Sequence, residues 1–149
     1  MSTAEQQLEQ WSKDNIALYN LMDITFNSVS NGLYKVTLPM SKNVCNHVNS
    51  IHAAFIWASA EVLGGMIGIT ERADPSYAPL LKSMDVEFVN MATTDIIAES
   101  HFSKEQAAQM NESMLQEGRY DFELDTEIND IDGKLIAKAK ALYAVRVIK

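Results

Sequence analysis

The sequence predicts an α+β domain in which an antiparallel sheet covers one long apolar helix, and three observations lead there. Between Lys42 and Glu71 the only Asp, Glu, Lys or Arg is Glu61, and Ile51 to Ile69 is apolar almost throughout. A helix that is hydrophobic on every side is one that protein surrounds. Two later runs, Arg119 to Asn129 and Leu135 to Val147, place apolar residues at every second position, the period of a strand with one buried face. Finally, Asn31-Gly32 and Asp132-Gly133 each separate two strand-like runs, and such pairs favour tight hairpin turns.

The elements follow in order. Leu8, Trp11, Ile16, Tyr19 and Leu21-Met22 recur at loosely helical intervals among Glu and Gln, which predicts one or two short amphipathic helices over residues 3–22. Ile24 to Ser30 and Leu33 to Leu38 form a hairpin about Asn31-Gly32, and Pro39 ends its second strand. A loop, Met40 to Asn49, leads to the apolar helix, expected over residues 50–70 with Ser50 as N-cap and with Gly68 and Asp74-Pro75 marking its far end. Strands are then expected at Ser83–Met91, with Met84, Val86 and Phe88 alternating against Asp85 and Glu87, and at Asp95–Phe102. Ser103 to Gly118 reads as a polar helix or ordered excursion. In the strand Arg119 to Asn129 the residues Tyr120, Phe122, Leu124, Thr126 and Ile128 share one face. Leu135, Ala137, Ala139, Ala141, Tyr143, Val145 and Val147 form the inner face of the last strand. Four or more antiparallel strands need cover on one face, and one apolar helix lying across a curved sheet supplies it.

Composition narrows the function classes. The chain has 149 residues, 12 Lys and Arg against 20 Asp and Glu, a formal charge of −8 and 47% hydrophobic residues. That is one domain, residues 1–149, large enough to build a core without disulfides or a structural metal. Its single cysteine, Cys45, fits a reducing compartment, so a cytoplasmic location is expected. The acidic balance opposes binding to a phosphate backbone, which excludes nucleic acid as the expected partner. Met1 to Lys13 is polar and acidic, unlike a signal peptide. The apolar stretch is not expected to cross a membrane, because it carries Glu61 at its centre, His52 near its start, and Gly64, Gly65 and Gly68 within it.

The element order, together with Asn46-His47-Val48-Asn49-Ser50-Ile51-His52-Ala53-Ala54 and then Glu61, resembles the hotdog-fold acyl-CoA thioesterases. This superfamily includes the PaaI-like and 4-hydroxybenzoyl-CoA thioesterase-like proteins, and the likeness is nearest to a stand-alone bacterial thioesterase-like branch. Many members share an Asn or Gln, a Gly, a His-Gly-Gly and an acidic residue on the helix. Asn46 stands six residues before His52, and Glu61 nine after it, where the Glu-using branch has its catalytic carboxylate. The resemblance covers about Ile24 to Val147. It departs at Asn49, where the family has glycine, and at Ala53-Ala54, where it has Gly-Gly; alanine keeps the backbone N–H and adds a methyl.

Each candidate has a functional and a simpler reading. A carboxylate at Glu61, among Ile56, Trp57, Ala58, Ala60, Val62 and Leu63, is costly to bury charged, so it needs a raised pKa, a partner or a cavity. This is the profile of an acid/base or nucleophilic group; the simpler reading is a structural carboxylate. Ala53, or less readily Ala54, offers a backbone N–H at the helix start for an oxyanion, although every helix start has such donors. If both were helical, His52 and Glu61 would point to opposite sides of the helix. The resemblance implies a dimer interface where the loop and helix start of one copy face the carboxylate of the other, with His52 orienting the loop. Asn46 either bonds the reacting water or carbonyl, as the family's residue does, or makes local turn bonds. Trp57, Met66 and Met84 are expected against the substrate with Ala54, and Met66, Met84 and Met91 could form an acyl tunnel. Ser59 has no primary role, Cys45 is a small buried residue, and His47 and His101 lack metal-ligand spacing. No metal and no cofactor are expected. Arg72, Lys82, Lys104 and Lys138 are candidates for the phosphates of CoA.

The resemblance therefore implies thioester hydrolysis by a homodimer or tetramer acting on a small-molecule acyl thioester, carried by CoA or acyl-carrier protein. Two alternatives stand beside it: a protein that binds an acyl group without turning it over, and a hydratase or dehydratase, which the opposed His52 and Glu61 disfavour.

Overall fold

A computed structural model describes residues 2–148. Two helices open the chain: α1, Ala4–Asn15, and α2, Ala17–Met22. Thr3 and Gln6 close a reciprocal capping box at the start of α1, which satisfies two otherwise unpaired donors. The predicted hairpin follows as β1, Thr25–Ser30, and β2, Leu33–Leu38. Asn31 at φ 59° and Gly32 at φ 78° are both left-handed, as a two-residue turn matched to the strand twist requires.

The apolar helix is α3, Ala53–Glu71. It begins three residues after the expected Ser50, because Ser50 is drawn into the preceding loop and His52 provides the cap. Nor does Gly68 end it: Gly68 lies inside the helix, and Arg72 is the C-cap. Strand β3, Tyr77–Phe88, starts six residues ahead of the expected Ser83 and stops short of Met91. It tolerates Pro79 because it is an edge strand. Strand β4, Ile96–His101, leads to α4, Lys104–Glu117, which is capped by Ser103 and stopped by Gly118 at φ 70°. The long strands β5, Arg119–Asp130, and β6, Leu135–Val147, complete the fold around Gly133 at φ 85°.

The six strands form one antiparallel sheet in the order β1-β2-β4-β5-β6-β3, and α3 packs against all of them. Its wrapped position explains how so apolar a helix stays out of water; by length and composition alone it could cross a membrane. Alternation in the strands sets the core: Tyr34, Val36 and Leu38 of β2, Ile96 and Ala98 of β4, and Phe122, Leu124 and Ile128 of β5 are buried. Fully burying an Ile or Leu side chain contributes roughly 1.5–3 kcal/mol, so Leu63 and Ile67 of α3, both wholly buried, anchor the helix. On β6 the buried row runs from Ala137 to Val145, whereas Val147, expected inside, is exposed beyond the end of α3. Likewise Met84 and Val86 are only half-buried and Phe88 is exposed: β3 is an edge strand, and Phe88 borders an open groove at the start of α3. Two glycines permit the close approach of helix and sheet. A Cβ on Gly64 would sit 1.9 Å from the Tyr143 ring, and one on Gly68 would sit 2.5 Å from Pro79.

Candidate active site

The loop before α3 is a hydrogen-bonded turn built by Asn46. Its Oδ1 accepts from the backbone N–H of Val48 at 3.0 Å and of Ser50 at 3.1 Å, and its Nδ2 donates to Ser50 Oγ at 2.9 Å. Asn46 therefore makes the local bonds of the simpler reading. Asn49 takes φ 58°, a left-handed conformation that Asn tolerates better than most non-glycine residues. The departure from glycine at this position thus keeps the backbone path. The loop is closed by His52 N–H donating to Val44 O and Ile51 N–H donating to Ala92 O, each at 2.8 Å.

His52 is exposed, and its Nδ1 accepts from Ala54 N–H at 3.0 Å, capping α3. This occupies the second of the two candidate oxyanion donors. The Ala53 N–H has no acceptor among the described residues and lies at the exposed helix start. Asn46 and Ala53 share an open groove of about 320 Å³ with Phe88 and Met91. Trp57, one turn along α3 from Ala53, is 37% exposed.

Glu61 lies farther along the same helix, half-buried. Its Oε2 accepts from Tyr19 Oη of α2 at 2.7 Å, and Tyr143 Oη donates to its backbone carbonyl at 2.8 Å. Burial raises the Glu61 pKa above the ordinary carboxylate value, and the Tyr19 hydrogen bond opposes that rise. Burial also lifts the Tyr19 hydroxyl far above its usual value, the Glu61 charge adding to the effect, so Tyr19 stays protonated and donates. One carboxylate oxygen is thus tethered, while the other takes no hydrogen bond from any described residue. The sequence signal for Tyr19 was weak: it marked only a helical face, 42 residues from its partner.

Within one chain the two halves do not meet. Ala53 and Glu61 are eight residues apart on α3, a rise of about 12 Å, and His52 stands beyond the helix start.

The remaining candidates are dispersed. Met66 is buried beneath α1 and α2, Met91 borders the groove at Ala53, and Met84 lines neither space, so the three methionines form no common tunnel in one copy. Ser59 Oγ donates to Ile56 O within α3. Cys45 is a free thiol, half-buried. Arg72 is committed to the carbonyls of Pro75 and Tyr77, and Lys82 pairs with Asp121 at 3.3 Å. Lys104 borders a separate surface hollow near Asn31. Lys138 stands in a groove of about 640 Å³ bordered by Asp85, Glu99, Asp125 and Glu127, which includes neither Glu61 nor Ala53. Among the described residues no His, Cys, Asp and Glu group has the arrangement to hold a metal ion.

A family model described as "Domain of unknown function (DUF4442)" matches residues 16–145. The chain belongs to this family. The match to the DUF4442 family takes in α2 with Tyr19 and leaves α1 outside. No curated protein matches the chain significantly. Solved structures show the fold. A Pseudomonas aeruginosa protein of unknown function, described as a probable thioesterase, superposes with a TM-score of 0.87 at 22% identity, over 99% of both chains. A Haemophilus influenzae thioesterase gives 0.78 at 14% identity, covering 99% of this chain and 93% of its own. A mutant of a second P. aeruginosa thioesterase gives 0.78 at 18%, covering 99% and 97%. This DUF4442 domain therefore has the α+β hotdog fold, with the sheet wrapped around its central helix.

Proposed function

We propose that this DUF4442 domain hydrolyses acyl thioesters at a site shared between two copies of the chain. The observation that carries the reading is Glu61: a half-buried carboxylate with raised pKa, held by Tyr19 through one oxygen, on the central helix of a fold shared with thioesterases. A base whose pKa is lifted toward neutrality transfers protons more effectively near neutral pH. In this reading Glu61 takes a proton from water and the resulting hydroxide attacks the thioester carbonyl. The Ala53 N–H of a second copy donates to the oxyanion. Collapse breaks the C–S bond, and the proton passes from Glu61 to the thiolate, leaving acid and free thiol. Direct attack by the carboxylate, through an anhydride that water then cleaves, uses the same residues.

The two-copy arrangement rests on the separation of about 12 Å along α3 between Ala53 and Glu61. It is supported by the exposed apolar side chains near the helix start: Val48, Trp57, Phe88 and Met91 are 37–57% exposed, the kind of apolar surface that marks an interaction site. His52 and Asn46 shape the loop, and CoA or an acyl-carrier protein would carry the acyl group in the cytoplasm. A second reading, binding without turnover, is favoured by one observation: the Ala54 N–H and the side-chain Oδ1 of Asn46 are already occupied.

A panel of acyl-CoA thioesters assayed by free-thiol release separates the two. For hydrolysis, Glu61→Gln lowers kcat about 10²–10⁴-fold, with binding kept. Unchanged turnover in this variant, or binding with no thiol release by the native chain, overturns the hydrolytic reading.

A further inference from the structure

Three glycines lie in the body of α3, and only two are explained by packing. Gly64 makes room for Tyr143 and Gly68 for Pro79, whereas a Cβ on Gly65 would meet nothing within 4 Å. Glycine inside a helix costs about 1 kcal/mol relative to alanine, so this position gives up helix stability without relieving any contact. What Gly65 leaves open is a small, partly open hollow of about 30 Å³ between α3 and the N-terminal helices. Ser12, Ile16 and Tyr19 border it on one side, and Val62 and Met66 on the other. Helical side chains lean toward the N-terminus over the residue four positions back. A side chain at position 65 would therefore lie across the turn that carries Glu61. The missing side chain leaves this space open one helical turn from Glu61, which does not itself border it; Tyr19 links the two, lining the void while its hydroxyl holds the Glu61 carboxylate.

We infer that the Gly65 void receives the end of a short acyl group and that Gly65 sets the acyl length this chain accepts. The inference rests on the hydrolytic reading for its link to Glu61. A space of this size holds roughly one methyl-sized group, and its border is mainly apolar, which suits an alkyl terminus and not a charged one. Because α1 and α2 close it on the far side, a long chain has no continuation there. Excluding a methylene from an apolar site costs about 0.8 kcal/mol, about fourfold in kcat/KM or affinity.

The test compares the native chain with Gly65→Ala and Gly65→Leu on saturated acyl-CoA thioesters from acetyl to decanoyl. The readout is the ratio of kcat/KM for each length to that for acetyl. The expected result is a native preference for short chains over decanoyl, lowered about fourfold per excluded methylene in Gly65→Ala and more in Gly65→Leu. Because alanine meets no neighbour at this site, Gly65→Ala should fold, and a thermal melt checks this. Calorimetry with non-hydrolysable acyl-CoA thioethers of the same lengths reads the pocket without turnover. If the native chain releases no thiol but binds thioethers with a length preference that Gly65→Leu shortens, the hydrolytic reading fails and the pocket assignment stands. A length profile identical in all three chains overturns the assignment, as does a change of oligomeric state in Gly65→Leu without a change of profile.

Discussion

Replacing Tyr19 by phenylalanine removes one oxygen and leaves the ring, so it isolates the hydrogen bond to Glu61. Tyr19 is 7% exposed, and its hydroxyl stands 2.7 Å from Oε2; the ring keeps its packing and no cavity opens. A hydrogen bond to a charged group contributes about 1.5–3 kcal/mol, and one between neutral groups about 0.5–1.5 kcal/mol. The cost of Tyr19→Phe should therefore be about 1.5–3 kcal/mol where Glu61 is ionised and smaller where it is protonated. The direction follows from the raised Glu61 pKa. Below the unfolded-state carboxylate value both states hold the proton, and Glu61 adds no penalty. As pH rises through the folded-state value, the native state must bury a charge, and stability is lost. Without the Tyr19 bond that loss is larger, so the variant falls further behind the native chain as pH rises. Denaturant unfolding at pH 4 and pH 8, repeated in a Glu61→Gln background, measures it. In hydrolysis, the acid limb of kcat/KM should move to higher pH in Tyr19→Phe, because a bond that favours the ionised form is gone. A stability cost that is equal at both pH values and unchanged by Glu61→Gln would refute the reasoning.

Two further substitutions probe the helix. Ala53→Pro deletes the proposed oxyanion donor at the first helical position, where proline fits, and His52 at φ −64°, ψ 140° already has the extended backbone that precedes a proline. The thermal melt should stay near that of the native chain while kcat falls about 10²–10³-fold; a kcat within twofold of native would remove Ala53 from the site. Gly64→Ala places a methyl 1.9 Å from Tyr143 and should destabilise by about 1–3 kcal/mol in urea, the opposite sign to Gly65→Ala, which should stabilise by up to about 1 kcal/mol.

What could be read from the residues depended on how far apart the interacting groups lie in the chain. The hairpin at Asn31-Gly32 and the alternation of β5 are local patterns, and both appear where the spacing predicts them. The start of α3 was missed by three residues because Ser50 is a good capping residue by type, while Asn46 competes for its backbone N–H and hydroxyl and shifts the cap to His52. β3 was missed over Tyr77 to Lys82 because its first residues do not alternate and include a proline, which an edge position tolerates. At the site, the lone charge in an apolar run singled out Glu61. Nothing in the pattern assigned Tyr19 to it, since that pairing depends on how α2 folds back over α3. Likewise the three glycines of α3 look alike in sequence, and only the packing of Tyr143 and Pro79 separates Gly64 and Gly68 from Gly65.

The hydrogen bond from α2 to α3 also bears on where the molecule could be shortened. The sheet begins at Thr25, and a chain cut there would keep all six strands and the central helix. It would, however, lose the one side-chain donor to the Glu61 carboxylate among the described residues, uncover Phe26, Val62 and Met66, and widen the hollow at Gly65 into an open cleft. The N-terminal helical segment through Met22 thus belongs to the site as well as to the core, to which it gives Tyr19 and Met22.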